Sequence, residues 1–211
     1  KWNEFFKQFD PLEKEFNQVF PLINTVEGFL KSPQQERWFF RAAKKAPDNA
    51  VIVEIGSFKG RSTVSFGFGC RGTKKHIYAI DLFEGDGMDY GLGDFQEIFQ
   101  SNIDRCGLSD YVTPIKKHSM DVAKTWEKPI DILFIDGSHL YEDVKADFEL
   151  FYPYVKENGV IVLHDVKGKW KGVIKFWSEL RDGGVLCDFG QVSSLGYGKK
   201  LTNKSLFENE S

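Results

Sequence analysis

From residue 51 onward, short apolar runs alternate with amphipathic segments, and this alternation constrains the fold more than any other feature. Continuous apolar runs are typical of strands buried on both faces, whereas apolar spacings of three and four residues are typical of helices. The pattern therefore predicts an α/β fold, a Rossmann-like, doubly wound and mostly parallel sheet with helices on both faces. The five runs are VIVEIG (51–56), HIYAIDLF (76–83), YVTPIKK (111–117), DILFID (131–136) and GVIVLHD (159–165).

The residues before this pattern are expected to form a helical N-terminal extension over residues 1–48. Apolar side chains recur there at helical spacing, at Phe16, Phe20 and Ile23. Ser32, Pro33 and Gln35 are residue types favoured at the N-cap, the first and the third position of a helix. A helix is therefore predicted to begin at this point.

The residues after the pattern predict an antiparallel end to the sheet. A helix is expected near 172–181, and VLCDFGQV and LGYGKKL are typical of two strands joined by a short connection. These strands would bring the sheet to about seven, one of them antiparallel. Because no linker or internal repeat divides the chain, the sequence predicts a single domain over 1–211 with its core at 49–200.

The composition argues against two classes of function. The net charge is −3 and the pI is about 5.9, so no basic surface for nucleic acid is expected. No apolar run approaches the ~20 residues that a bilayer crossing needs, so no membrane association is expected. Three cysteines without metal-ligand spacing (Cys70, Cys106 and Cys187) are typical of a reducing compartment and predict a cytoplasmic protein. Phe5, Phe6 and Phe9 would suit an interface in a homo-oligomer, but the sequence leaves the oligomeric state open.

Polar residues follow each of the five predicted strands at the point where the strand ends. In an open parallel sheet, ligands bind at the carboxyl ends of the strands. One acid or histidine at such a place is more often a cap or a turn residue, but five consecutive strands ending in this way indicate a site. In strand order, these residues are Glu54, Asp81, His118 with Ser119, Asp136 with His139, and His164 with Asp165.

The turn after the first strand predicts a nucleotide-like ligand. Gly56 permits a tight turn, and Gly60 lets the next helix lie close to the strand. The pattern is E-x-G-x-x-x-G, which differs from the G-x-G-x-x-G that binds a dinucleotide pyrophosphate. A ligand with an adenosine part and no pyrophosphate fits better, and Asp81 could then accept hydrogen bonds from both ribose hydroxyls.

The segment D-G-S-H-x-Y-x-x-V-x-x-D, followed by G-V-I-V-x-H-D, is the most specific part of the sequence. Together with VEIGSFKGRST (53–63), IYAIDLF (77–83) and, more weakly, GFLKSPQQERWFFRAA (28–43), it resembles class I S-adenosylmethionine-dependent methyltransferases. More narrowly, the chain resembles methyltransferase family 24, relatives of macrolide-sugar O-methyltransferases and of cephalosporin hydroxylase-like proteins. The similarity extends over residues 26–198.

This resemblance implies an enzyme that O-methylates a hydroxyl of a small molecule, such as a sugar or a natural product. The methionine part of S-adenosylmethionine would lie by the glycine turn, its ribose on Asp81 and its adenine near Ser119. The residues implied for the cofactor are Glu54, Gly56, Ser57, Gly60, Arg61, Ser62, Asp81, Ser119 and Asp136.

The resemblance also implies a metal site and a general base. Related sugar O-methyltransferases bind Mg²⁺ after the fourth and fifth strands, which implies Asp136, His164 and Asp165 as metal ligands here. A histidine replaces one carboxylate of that pattern, and Mg²⁺ prefers oxygen ligands. His164 therefore argues for a weaker site, for a softer metal such as Mn²⁺, or for a role other than direct ligation. The family's catalytic histidine lies three residues past the acid, which implies His139 as the base, and Ser138 is expected to cap the helix 140–152.

Two other functions stay open on the sequence alone. A cofactor-binding module without catalysis, such as a partner subunit in a biosynthetic complex, would keep the glycine turn and lose the acid–histidine–acid set. An NAD-dependent oxidoreductase is disfavoured by the missing middle glycine. The acceptor cannot be identified, although the glycine-rich loop 84–94 and the aromatic N-terminal segment are expected to line its site.

Overall fold

A computed structural model of the chain describes residues 10–30, 32–84 and 93–201, and within them seven strands form one sheet. The sheet order is β3-β2-β1-β4-β5-β7-β6. Strand β7 pairs antiparallel with both of its neighbours, and the remaining pairs are parallel. The predicted fold class is therefore confirmed. The strands are β1 (Val51–Ile55), β2 (His76–Asp81), β3 (Val112–Lys116), β4 (Ile130–Ile135), β5 (Val155–Leu163), β6 (Leu186–Val192) and β7 (Leu195–Lys200).

Helices cover both faces of this sheet because successive strand residues point to opposite sides. Ile52 and Phe134 pack with the first four helices, whereas Val53 and Leu133 pack with the last three. Each face therefore has its own apolar core. The helices are α1 (Pro11–Ile23), α2 (Pro33–Lys45), α3 (Arg61–Cys70), α4 (Gln96–Arg105), α5 (Ser119–Ala123), α6 (Tyr141–Phe151) and α7 (Lys171–Asp182).

The predicted helix starts at Ser32 and Ser138 differ from the structure in detail. Helix α2 begins at Pro33 as predicted, but the Ser32 side chain makes no capping bond, and its hydroxyl is buried without a partner among the described residues. Ser138 does not occupy the N-cap of α6, since that position belongs to Leu140. The Ser138 hydroxyl instead donates to Asp143 at 2.6 Å and accepts from the Leu140 N–H at 3.2 Å.

One arginine ties the N-terminal helices to the core. Arg61, the first residue of α3, donates to the Glu36 carboxylate and to the Val26 carbonyl, both at 2.8 Å. It also donates to Asn24 at 3.1 Å. Because Glu36 is buried, this ion pair is shielded from solvent and fixes the segment between α1 and α2 against α3.

Some predictions fall on residues that the structure leaves undescribed. Phe5, Phe6, Phe9 and most of the loop 84–94 lie outside the described residues. Within the described part of the chain, no helix has the length and apolar character needed to cross a membrane.

Candidate active site

The carboxyl ends of β1 and β4 meet at Gly56 and Asp136. The Asp136 N–H donates to the Ile55 carbonyl at 2.8 Å, and the Gly56 N–H donates to the Ile80 carbonyl at 2.9 Å. Gly56 has a φ of 85°, and a side chain there would collide with the Asp136 backbone. Only glycine therefore permits this close approach, which places the predicted cofactor turn directly beside the acid of β4.

Asp81, at the end of β2, holds the same turn from the other side. Its carboxylate accepts from the Phe58 N–H at 2.7 Å and from the Phe83 N–H at 2.6 Å. Phe58 and Phe83 both have positive φ, 48° and 55°, a backbone conformation that residues other than glycine rarely adopt. Burial raises the pKa of Asp81, although the backbone donors oppose this effect. Strained backbone of this kind concentrates at functional sites.

Glu54 and Ser62 are bound to one another beneath the turn. The fully buried Glu54 carboxylate accepts hydrogen bonds from the hydroxyls of Ser62 and Thr63. Burial raises the pKa of Glu54 to about 7, although the two hydroxyls stabilise its charged form. The hydroxyl of the neighbouring Ser57 is also buried and has no hydrogen-bond partner within the described residues.

Gly60 and Arg61 sit where the turn enters α3. Gly60 has a φ of 92°, and a Cβ there would lie 3.0 Å from the Phe99 ring. The Arg61 guanidinium is directed at the N-terminal segment, where it binds Glu36. In the structure, Arg61 therefore holds the N-terminal segment against α3, which is a different role from the cofactor contact that the sequence implies.

Ser119, the residue implied for adenine, begins α5 and bonds to α6. Its hydroxyl donates to the Asp147 carboxylate at 2.5 Å, and both residues are buried. Burial raises the pKa of Asp147 to about 6, since the Ser119 hydroxyl offsets only part of the effect. The Asp147 carboxylate also lies close to Gly137 of the β4–α6 turn, so Ser119 is joined to the end of β4.

Asp136, His139 and Asp165 converge at the ends of β4 and β5. Their potential ligand atoms all lie within 4.8 Å of one another, so two carboxylates and one imidazole could hold a divalent cation. His139 Nε2 is 3.1 Å from Asp165 Oδ2. Asp165 has a φ of 55°, which turns its side chain back towards β4.

His164 lies behind this cluster, with 3% of its side chain exposed. Its Nδ1 is 3.1 Å from Asp136 Oδ1 and 3.5 Å from Asp165 Oδ2. Burial disfavours the charged imidazole, but the two carboxylates outweigh this effect and raise the pKa to about 10. His164 thus supports the carboxylates from behind, whereas His139 faces them from the more exposed side.

Trp170 is part of the site although no motif marks it in the sequence. Its indole stacks on the His139 imidazole, and the Lys169 ammonium lies 4.4 Å from the centre of the indole ring. Trp170 follows Asp165 by five residues, in the segment that leads into α7. That proximity to the carboxyl end of β5 is the signal that could have indicated it.

Other proteins share this arrangement. A family profile described as a methyltransferase domain, methyltransferase family 24, matches residues 53–166. The chain belongs to this family, and the prediction of a family 24 methyltransferase is confirmed.

Two curated relatives illustrate how far the similarity extends. An O-methyltransferase of Aspergillus hancockii, hkm8, is 24% identical over 74% of this chain and 59% of its own length. The uncharacterized protein R132 of Acanthamoeba polyphaga mimivirus is 36% identical over 56% of this chain and 52% of its own length. The chain spans less than two thirds of the length of the curated relatives it matches.

Solved structures show the same fold. The O-methyltransferase of Bacillus cereus in complex with S-adenosylhomocysteine is 17% identical, with a TM-score of 0.64 over 89% of this chain and 91% of that chain. The O-methyltransferase TomG of Streptomyces achromogenes, involved in tomaymycin synthesis and solved with S-adenosylmethionine, is 16% identical. Its TM-score is 0.64 over 94% of this chain and 95% of that chain.

Proposed function

We propose that the chain is an S-adenosylmethionine-dependent O-methyltransferase that methylates a hydroxyl of a small molecule, a sugar or a natural product. The observation that carries this proposal is the contact between Gly56 and the Asp136 backbone. It joins the turn expected to bind the cofactor to the cluster of Asp136, His139 and Asp165. Donor and acceptor would therefore meet at one edge of the sheet, which is what a direct transfer between them requires.

The residues around the glycine turn fit an adenosyl cofactor. The Asp81 carboxylate accepts backbone hydrogen bonds from the glycine turn and from Phe83, and its remaining acceptor capacity faces a ribose hydroxyl in the proposed complex. Ser57 offers a buried hydroxyl without a partner in the described residues, which suits a polar group of the ligand. When bound, the cofactor supplies an activated methyl group on a sulfonium.

His139 is the proposed general base. Asp165 accepts a hydrogen bond from His139 Nε2–H, which leaves the lone pair on Nδ1. Nδ1 has no hydrogen-bond partner within the described residues and can take the proton of the acceptor hydroxyl. Asp165 then stabilises the imidazolium that forms, and Trp170 keeps the ring in one plane.

The cluster also fits a divalent cation as an assistant. Asp136 and Asp165 supply the hard oxygen ligands that Mg²⁺ and Mn²⁺ prefer, while His139, at the edge of the cluster, keeps its Nδ1 lone pair for the acceptor proton. A cation bound there would lower the pKa of an acceptor hydroxyl. The chain's own contribution is to hold the two carboxylates together, which His164 does by hydrogen bonding to both.

Incubation with methyl-labelled S-adenosylmethionine and a panel of sugars and hydroxylated aromatic compounds tests the proposal. Mass spectrometry should find a labelled product and S-adenosylhomocysteine, and calorimetry should show S-adenosylhomocysteine binding far more tightly than NAD. Binding without turnover in a biosynthetic extract would favour a non-catalytic subunit. Preference for NAD would contradict the cofactor assignment.

Four other properties stay predictions from the sequence. They are a role in biosynthesis, a cytoplasmic location, a homo-oligomer and the single-domain boundaries.

A further inference from the structure

A buried polar network lies beneath the carboxylate cluster. Gln35, His164 and Ser194 are 0%, 4% and 4% exposed. Gln35 Nε2 is 3.2 Å from His164 Nε2 and donates to Ser194 Oγ at 3.1 Å. Ser194 Oγ is in turn 3.4 Å from His164 Nε2. The three side chains form a closed triangle around one ring nitrogen of His164.

This network joins three separate parts of the fold. Gln35 lies in the first turn of α2, His164 follows β5, and Ser194 lies in the turn between β6 and β7. The Ser194 carbonyl also accepts from the Val166 N–H at 3.0 Å, so the same residue fixes the chain just after Asp165.

The other ring nitrogen of His164 faces the cluster. Nδ1 lies within hydrogen-bonding distance of both Asp136 and Asp165, so the ring orientation decides whether a donor faces the carboxylates. A buried imidazole ring can turn over unless its second nitrogen is also held, and Ser194 Oγ, 3.4 Å from Nε2, offers an oxygen for that purpose. In metalloproteins, hydrogen bonds behind the ligands orient them and tune metal affinity.

We propose that Gln35 and Ser194 are positioning residues that act through His164. By occupying Nε2, they keep Nδ1–H directed at Asp136 and Asp165 and so fix the separation of the two carboxylates. The inference rests on the proposed function in one respect, namely that these carboxylates hold a divalent cation. It assigns the N-terminal helix and the C-terminal hairpin a shared role in the site, which explains why a fully buried glutamine occurs on α2.

The chain supplies matched controls for both residues. Gln35→Met keeps the length of the side chain and removes its polar atoms, and Gln34→Met makes the same change at an exposed position one residue earlier. Ser194→Ala is matched by Ser193→Ala, at an exposed position in the same turn. Ser194→Thr retains the hydroxyl and should restore the parental behaviour.

Two measurements decide the inference. The chain has four histidines, so single substitutions can assign the His164 signals in a long-range ¹H–¹⁵N spectrum, which reports the protonation of each ring nitrogen. Mn²⁺ affinity of the full chain with bound S-adenosylhomocysteine is then measured by electron paramagnetic resonance.

In Gln35→Met and Ser194→Ala, we expect an altered His164 pattern and a Mn²⁺ Kd raised about 10-fold or more. The Kd for S-adenosylhomocysteine should stay within about twofold, and the two controls should match the parent. The inference would be overturned if the protonation of the His164 ring nitrogens stayed unchanged in both variants. It would also be overturned if that protonation changed while the Mn²⁺ affinity did not. A parent that binds S-adenosylhomocysteine but no Mn²⁺ would remove the metal from both proposals, whereas a parent that binds neither would overturn the proposed function itself.

Discussion

The imidazole of His139 lies nearly parallel to the indole of Trp170, with ring centroids 3.9 Å apart and an interplanar angle of 12°. One edge of the same imidazole is held by Asp165. Stacking on Trp170 and the hydrogen bond to Asp165 therefore fix the orientation of the ring in the free protein. A base oriented in advance loses little entropy when it meets its substrate, which is how positioning contributes to rate.

His139→Ala is expected to lower the turnover number about 100-fold or more, the usual contribution of a positioned base. The substitution should leave the Kd for S-adenosylhomocysteine nearly unchanged, because the His139 side chain bonds to Asp165 and is not part of the glycine turn expected to bind the cofactor. Steady-state kinetics and calorimetry check the two effects separately. His118→Ala serves as the control, since His118 lies at the start of α5, where its ring accepts from the Met120 N–H. Parental turnover in His139→Ala would leave the imidazole with a packing role only.

Asp81→Asn is expected to weaken S-adenosylhomocysteine binding about tenfold. An amide keeps one oxygen acceptor but replaces the other with a donor, so one ribose bond to a charged carboxylate is lost, worth about 1.5 kcal/mol or tenfold in Kd. Calorimetry measures the change, and Asp182→Asn, at the exposed end of α7, is the control. Equal affinity in the Asp81 variant would show that β2 does not hold the ribose.

Removal of either carboxylate should abolish tight binding of a divalent cation. Asp136→Asn and Asp165→Asn each remove one charged oxygen ligand, so the Mn²⁺ Kd should rise by roughly 10-fold or more. Asparagine tolerates the positive φ of Asp165, so the second variant tests charge without backbone strain. Chelation should lower the parent's activity, and added Mn²⁺ should restore it. Full activity in excess chelator would leave Asp136 as a structural neighbour of the cofactor turn.

Much of the fold follows from local pattern. The five central strands, their parallel pairing and the strand ends that carry Glu54, Asp81 and Asp136 are predicted because apolar runs and turns are short-range signals. The bounds of β5 are less predictable. It begins at Val155, before the apolar run, where Val155 pairs with Ile130 and the register then shifts so that Ile132 pairs with Val160.

The contacts behind the site depend on long-range packing and cannot be predicted from local sequence pattern. Gln35 has the residue type of a capping position, yet its side chain bonds to His164, 129 residues away. A local pattern predicts which residues can cap a helix but not which ones meet across a sheet. The one available signal is that Gln35 precedes Phe39 by four residues and Ala43 by eight, which puts it on the buried face of α2.

Gly56→Ala is expected to destabilise the protein more than Gly72→Ala. Both glycines have positive φ, 85° and 76°, so both substitutions cost about 1 kcal/mol or more in backbone strain. Only at Gly56 would the new Cβ also meet the backbone of Asp136, whereas no atom lies within 4 Å of the corresponding position at Gly72. The collision should add about 1–3 kcal/mol. Urea unfolding of the two variants measures the difference, and equal losses would show that the β1–β4 contact relaxes freely.

Asp147→Asn should remove a loss of stability that the parent shows as the pH rises, because this loss comes from ionising a buried carboxyl group. Burial raises the folded-state pKa of Asp147 from 3.8 to about 6, so the folded protein holds this proton at a pH where the unfolded chain has released it. The parent therefore loses stability as pH rises from about 4 to about 6, and the loss is complete above that window. Asparagine cannot ionise but still offers an oxygen to Ser119, so the variant avoids this loss. Relative to the parent, its free energy of unfolding should gain up to about 2 kcal/mol between pH 4 and pH 7. Urea titrations at several pH values measure this difference, with Asp182→Asn expected to follow the parent. A difference between Asp147→Asn and the parent that stays constant with pH would show that Asp147 remains ionised in the fold.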